Sequence, residues 1–99
     1  MESAPEKIHG AGFVLCRGTK SGPEFLLLKA KWGRHWSIPK GHISQSENIL
    51  ATAYRETEEE TGIESDEIKR IEGFSRVVTT QLKRPTKNCP DGIKNTKVF

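Results

Sequence analysis

The chain has 99 residues, 33% of them hydrophobic and 29% charged, with a formal net charge of +3. This length predicts one domain, spanning 1–99, with a small core. No apolar run reaches the roughly 20 residues a membrane-spanning helix needs, no secretory leader opens the chain, and the charge excess is too small to mark a nucleic-acid binder. The expectations are a cytoplasmic protein, with the nucleus left open, acting without a membrane or a nucleic-acid duplex. Cys16 and Cys89 form no metal-ligand or redox spacing, so reduced thiols are expected.

In chain order, residues 1–7 mix Pro, Glu and Lys and predict a frayed end. Ile8 to Arg17 is short, apolar and β-prone, which predicts a buried strand, and Gly18 to Pro23 supplies turn chemistry. Glu24 to Ala30 predicts a second strand, giving a hairpin with the first. Lys31 to His42 holds both tryptophans and many breakers, which predicts a loop with a brief extended piece at Trp36 to Ile38. Within it, Trp36 is expected to be a core anchor, because large aromatics are usually buried for their area.

A helix follows. Ser44 and Glu47 match a capping box, Ser46 competes as N-cap, and Gly62 suits the position just past the helix end. Leu50, Ala53, Tyr54 and Thr57 recur at the spacing that lays one stripe against a core. Ile71 to Leu82 is a third strand candidate, Arg84 to Asn95 a polar loop, and Thr96 to Phe99 a strand that has just begun when the chain stops. Strand, strand, loop, helix, strand fits an α+β layer of sheet and helix.

Charge is unevenly spread. Carboxylates crowd between Glu56 and Glu67, and bases crowd later at Lys83, Arg84, Lys87, Lys94 and Lys97, with only Asp91 among them. The blander reading of each run is a solvated face. The functional reading couples them, acids holding a cation while bases meet phosphate oxygens. At about 100° per residue, Glu56, Glu59 and Glu60 share one arc of the helix while Glu58 points away. Three like charges on one arc repel, and a hard divalent cation, which prefers oxygen ligands, would offset the repulsion. Arg55 beside the arc can orient or neutralise a carboxylate with its bidentate fork.

Wider spacing decides between the two readings. Gly41, five residues, Glu47, seven residues, then Arg55-Glu56-Thr57-Glu58-Glu59-Glu60-Thr61-Gly62-Ile63 resembles the Nudix signature at every fixed polar and glycine position, over 23 of 99 residues. Thr57 replaces the usual apolar residue, and since it lies on the core stripe this bears on packing, not chemistry. The resemblance implies a mixed sheet carrying the catalytic helix, and a Mg²⁺- or Mn²⁺-dependent hydrolysis of a phosphoanhydride bond. It carries over Glu56, Glu59 and Glu60 as metal ligands, with the backbone carbonyl of Lys40 brought in by Gly41, Glu56 as a candidate base, and Glu47, Arg55 and Gly62 in support. Family chains of this type continue past the point where this one stops, adding strands, a closing helix and a further acidic residue. The resemblance therefore implies an incomplete domain with an exposed sheet edge, weak turnover or none, and a monomer that could associate through that edge.

Within the family, Glu24-Phe25-Leu26-Leu27-Leu28, Arg34-His35-Trp36-Ser37-Ile38-Pro39-Lys40-Gly41-His42 and Ile71-Glu72-Gly73-Phe74 look like the asymmetric diadenosine tetraphosphate hydrolases of animals. Diphosphoinositol polyphosphate phosphohydrolases carry Pro-Gly-Gly-Gly where this chain has Pro-Lys-Gly-His, so Lys40 favours a dinucleotide cleaved to ATP and AMP. The resemblance implies substrate contacts from Lys40, from Trp32 by stacking on adenine, from His35 on the phosphate side and from Lys87, the first choice among Lys83, Lys87 and Lys94. Loop packing is the duller role for Trp32, and His9 and His42 are expected to be structural or solvent-facing. Two alternatives stand beside this reading. One is a non-catalytic nucleotide- or partner-binding domain that keeps the helix; the other is a pyrophosphatase for a different nucleoside diphosphate derivative or a diphosphoinositol polyphosphate.

Overall fold

A computed structural model describes residues 7–99, so the fraying expected of the first residues lies largely outside the described part. A four-stranded mixed sheet runs in the order β6 (Lys40–His42), β1 (Gly10–Gly12), β8 (Ile93–Val98), β7 (Arg76–Gln81). β1 lies antiparallel to β6 and parallel to β8, while β7 lies antiparallel to β8. Two ribbons stand apart from it, β2 (Cys16–Thr19) with β3 (Gly22–Phe25), and β4 (Leu28–Lys29) with β5 (Trp36–Ser37). Helix α1 (Ile49–Thr61) packs on β1 and β6, and a 3₁₀ turn follows at Ser65–Glu67. The α+β layering is the expected one.

The helix buries the stripe its periodicity requires. Ala53 and Thr57 are fully buried, as is Thr52, and Leu50 and Tyr54 pack on the core formed by Ala11, Phe13 and Ala53. The Phe13 ring meets Tyr54 edge-on at 4.8 Å between centroids and Phe99 at 5.9 Å. Among the described residues, Thr57 Oγ1 is buried with no hydrogen-bond partner, so the departure from an apolar residue places an unpaired hydroxyl in the core. Gly62 ends the helix at φ 79°, a left-handed conformation that costs glycine little, and its N–H donates to the Glu58 carbonyl.

The N-cap is Asn48, and neither Ser44 nor Ser46 takes that role: Asn48 Oδ1 accepts from the Leu50 and Ala51 N–H groups. The expected box closes one turn early. Glu47 Oε1 accepts from the Ser44 N–H at 3.1 Å while the Glu47 N–H donates to the Ser44 carbonyl. Ser46, at φ 64°, turns the chain between them.

Strand boundaries differ more. The run from Ile8 to Arg17 is split because Gly10–Gly12 pairs on both sides within the main sheet, whereas Cys16–Thr19 leaves it for the exposed hairpin with β3. Glu24 to Ala30 divides likewise between β3 and β4. The brief extended piece at Trp36 is β5, but Trp36 is 60% exposed and anchors no core, since among the described residues β5 pairs only with β4; the Lys29 ammonium lies 5.7 Å from its ring. Ile71 to Ser75 stays outside β7, turning at Gly73 with φ 84°.

The largest correction concerns β8. It starts at Ile93 rather than Thr96 and lies inside the sheet, so the open edge on that side belongs to β7. Lys94 and Asn95 hide the strand in the sequence. Asn95 is nevertheless buried at 9% exposure, because its Oδ1 accepts from the Thr79 hydroxyl, its Nδ2 donates to the Lys7 carbonyl and its N–H donates to His9 Nδ1. His9 is thereby structural. Cys16 is exposed and Cys89 buried, and both are free. Beside the core, Phe13, Leu15, Phe25, Ile71, Phe74 and Phe99 line a broad groove of about 1170 Å³.

Candidate functional site

The site forms where α1 crosses the outer edge of β6. Phe13 N–H donates to the Pro39 carbonyl and Ile43 N–H to the His9 carbonyl, and ladder alternation then turns the backbone groups of Lys40 and His42 away from β1. Side chains of α1 take up part of this edge. The Lys40 N–H donates to Glu60 Oε1 at 2.9 Å, and the His42 carbonyl accepts from Arg55 Nη2 at 2.9 Å. By the same alternation the Lys40 carbonyl points off the edge.

Gly41 makes the close approach between strand and helix. A Cβ at this position would overlap the Glu56 carboxylate, so only glycine lets that group sit against the strand backbone. Glu56 is 16% exposed, and its neighbour Arg55 organises the rest. Arg55 Nε donates to Glu47 Oε2 (2.8 Å) and Nη2 to Glu47 Oε1 (3.0 Å), a bidentate pair, while Nη1 donates to Glu56 Oε1 (2.8 Å) and Glu59 Oε1 (3.1 Å). Glu47 Oε1 also accepts from the Thr52 hydroxyl at 2.6 Å. With the Arg55 guanidinium first and the Thr52 hydroxyl second among its causes, the Glu47 carboxyl is held down to about 2. The same carboxylates, led by Glu47, raise Arg55 above its already high value.

A cleft of about 300 Å³ opens beside this edge, lined by Ser37, Lys40, His42, Glu60, Lys94 and Thr96 among others. Partial desolvation, then the Lys94 ammonium, push the His42 imidazole below its usual range, which favours the neutral ring. The fold thus brings Lys40, Gly41, Glu47, Arg55, Glu56, Glu59 and Glu60 together, and adds Lys94 and Thr52. Trp32 is 91% exposed and His35 is exposed, and neither they nor Lys87 line the cleft. Lys94 belonged to the lysine pool of the sequence, but only the position of β8 singles it out. Thr52 could have been found as the residue five beyond Glu47, had Asn48 been read as the cap.

Does this donor set suit a divalent cation? Its atoms are all oxygen, from three carboxylates and a free strand carbonyl, and Arg55 and the Lys40 N–H already hold the carboxylates toward one edge. That is the chemistry hard cations select. The carboxylates are splayed by those contacts, and among the described residues the three acids whose oxygens lie within 4.8 Å of one another are Glu64, Asp66 and Glu67. All three are exposed on one turn, and exposed acidic groups of this kind are common.

The sequence profile of the NUDIX domain matches residues 7–94, and the chain belongs to the NUDIX domain family. Hydrolases of this family depend in general on divalent metals. It is 59% identical over 54 residues to the asymmetrical bis(5'-nucleosyl)-tetraphosphatase of Mus musculus, covering 54% of this chain and 37% of that protein. The Rattus norvegicus enzyme of the same name is 49% identical over 65 residues, covering 65% and 44%. The crystal structure of a C. elegans Ap4A hydrolase superposes with a TM-score of 0.76 at 30% identity, covering 93% of this chain and 65% of that one. The matched stretches span less than half the length of these curated relatives. Among the described residues no helix is long and apolar enough to cross a membrane.

Proposed function

We propose that this protein contributes the metal-binding half of a pyrophosphohydrolase that cleaves diadenosine tetraphosphate asymmetrically to ATP and AMP, with Mg²⁺ or Mn²⁺ as cofactor. The observation that carries the proposal is the Glu56 carboxylate seated on the Gly41 backbone, tied by Arg55 to Glu47 and Glu59 and flanked by Glu60 on the Lys40 N–H. The similarity to the mouse tetraphosphatase and the C. elegans Ap4A hydrolase supports the same substrate.

Glu56, Glu59, Glu60 and the Lys40 carbonyl would hold the cation, which when bound supplies positive charge against phosphate oxygens and lowers the pKa of water. Arg55 ties Glu47, Glu56 and Glu59 to one edge of the helix before any ligand arrives, and the ligand carboxylates would close together on a cation from there. Glu56 Oε1 is taken by Arg55 Nη1, so Oε2 is the oxygen through which Glu56 would serve either as a ligand of the cation or as the base for the attacking water. Lys40 and Lys94 line the cleft as cations for the phosphate chain, with the His42 ring, which favours its neutral form, as a hydrogen-bonding partner on the same cleft. Trp32 on its exposed loop offers a flat surface for a purine, and His35 and Lys87 remain candidate contacts for the outer phosphates.

The test compares the full chain with Glu59→Gln on diadenosine tetraphosphate and Mg²⁺. ATP and AMP from the parent and a large loss in the variant support the proposal. No product from either protein, with nucleotide binding retained, favours a binding module; turnover confined to another diphosphate in a substrate panel reassigns the substrate.

A further inference from the structure

The outer edge of β7 is built to receive another strand, and we infer that its occupant is the β7 of a second copy of this chain, paired antiparallel about a two-fold axis through Thr79. All six residues of Arg76–Gln81 are exposed, and among the described residues β7 pairs on one side only, with β8. Leu82 N–H donates to the Gly92 carbonyl, so alternation along the β7–β8 register assigns Val78 and Thr80 to that ladder and turns the backbone groups of Val77, Thr79 and Gln81 outward. The Thr79 hydroxyl bonded to Asn95 fits a pair whose side chains approach closely.

Edges left open in natural sheets are usually blunted by proline, inward charge, a bulge or short length. β7 has none of these: it contains no proline, its register with β8 is unbroken over six residues, its single charge is the terminal Arg76, and Val77 and Val78 are 39% and 50% exposed. The strand is also complementary to itself. Outward groups must face outward groups, and the register centred on Thr79 sets Val77 against Gln81, Thr79 against Thr79 and Gln81 against Val77, each pair exchanging two backbone bonds. Val78 then meets Thr80, Arg76 meets Leu82 and Lys83 meets Ser75, so no cation opposes a cation. A shift by two positions in the other sense would set Arg76 against Arg84. The contact is isologous and closes at two copies. It buries an edge rather than a face, so it belongs with weak interfaces and rises with concentration.

Analytical ultracentrifugation of the full chain, from about 1 µM to about 1 mM where weak interfaces associate, tests the pairing. The expected result is a mass that climbs from one chain toward two, and that stays at one chain in Val77→Lys and in Thr79→Pro, whose lost N–H faces outward and is not used by β8. A register-specific second reading uses Thr79→Cys in a Cys16→Ser background. The two Thr79 Cα atoms would lie about 5.5 Å apart, within disulfide reach, so mild oxidation links the copies, whereas Arg17→Cys on the exposed hairpin does not link. If one variant loses its circular dichroism spectrum, the other and the crosslink decide. A single chain up to the highest concentration, a dimer unaffected by both edge variants, or equal linking through positions 79 and 17 would each overturn the inference.

Discussion

Replacing Gly41 with alanine separates the site from the fold. The added Cβ would occupy the space of the Glu56 carboxylate, with both oxygens and the carboxyl carbon closer than any real Cβ contact allows. Two outcomes compete: the strand moves, or the carboxylate moves. Backbone movement in an overpacked place costs about 1–3 kcal/mol. The carboxylate is the far end of a flexible side chain held by one arginine bond, so it yields first, and the stability loss stays near or below about 1 kcal/mol. For a domain of this size that is a fall in Tm of at most about 4–8 °C. Displacing a reacting group by about 1 Å can cost about 100-fold in rate, and the same displacement weakens Mn²⁺ binding. Gly62→Ala is the matched control, because its φ of 79° strains alanine by about 1 kcal/mol while a Cβ there meets nothing within 4 Å. The assay pairs thermal unfolding by circular dichroism with hydrolysis of diadenosine tetraphosphate. Both variants are expected to lose a similar, small part of their Tm, but Gly41→Ala to lose activity and Gly62→Ala to keep it. Full activity in folded Gly41→Ala would refute the placement of Glu56.

Other expectations follow from single contacts. Asn48→Ala removes the cap on two N–H groups and should lower stability by about 1 kcal/mol, read by chemical denaturation. Thr57→Val keeps the shape and removes a buried hydroxyl that has no partner, so it should raise stability by about 1 kcal/mol; an unchanged or lower Tm would mean that a water satisfies that oxygen. Glu47, held down to about 2 from an ordinary 4.5, binds its proton more readily in the unfolded chain. Its contribution is therefore present above pH 4.5 and lost as pH falls from 4.5 toward 2. Denaturant midpoints measured across that window should fall for the parent and fall less steeply for Glu47→Gln.

Much of the site was legible because its grammar is local. Glu47, Arg55, Glu56, Glu59 and Glu60 lie within fourteen residues of one another, and helical geometry alone places three of the acids on one arc. The core stripe of α1 and its glycine stop were legible for the same reason. Long-range pairing was not. The start of β8 falls three residues earlier than the sequence indicates because Asn95 looks like a loop residue until Thr79, Lys7 and His9 surround it. Lys94 could not be ranked above Lys87 without that strand. Trp36 misled through the general habit of tryptophans, since nothing in its neighbourhood reveals that β5 pairs only with the short β4. The cap lies at Asn48 because the helix begins at Ile49, where Asn48 Oδ1 reaches two N–H groups, while the Ser44–Glu47 box closes in the turn before it.

Two acidic clusters are candidates for a divalent ion in this molecule, one tied to Arg55 and the edge of β6, the other exposed on the turn at Glu64, Asp66 and Glu67. Titrating ¹⁵N-labelled protein with Mn²⁺ and mapping the paramagnetic loss of amide signals distinguishes them. Broadening that begins at Lys40, Gly41, Glu56, Glu59 and Glu60, and that Glu59→Gln weakens, is the expected result. Broadening confined to residues 64–67, or spread evenly over all exposed acids, would contradict the assignment of this edge as the metal centre.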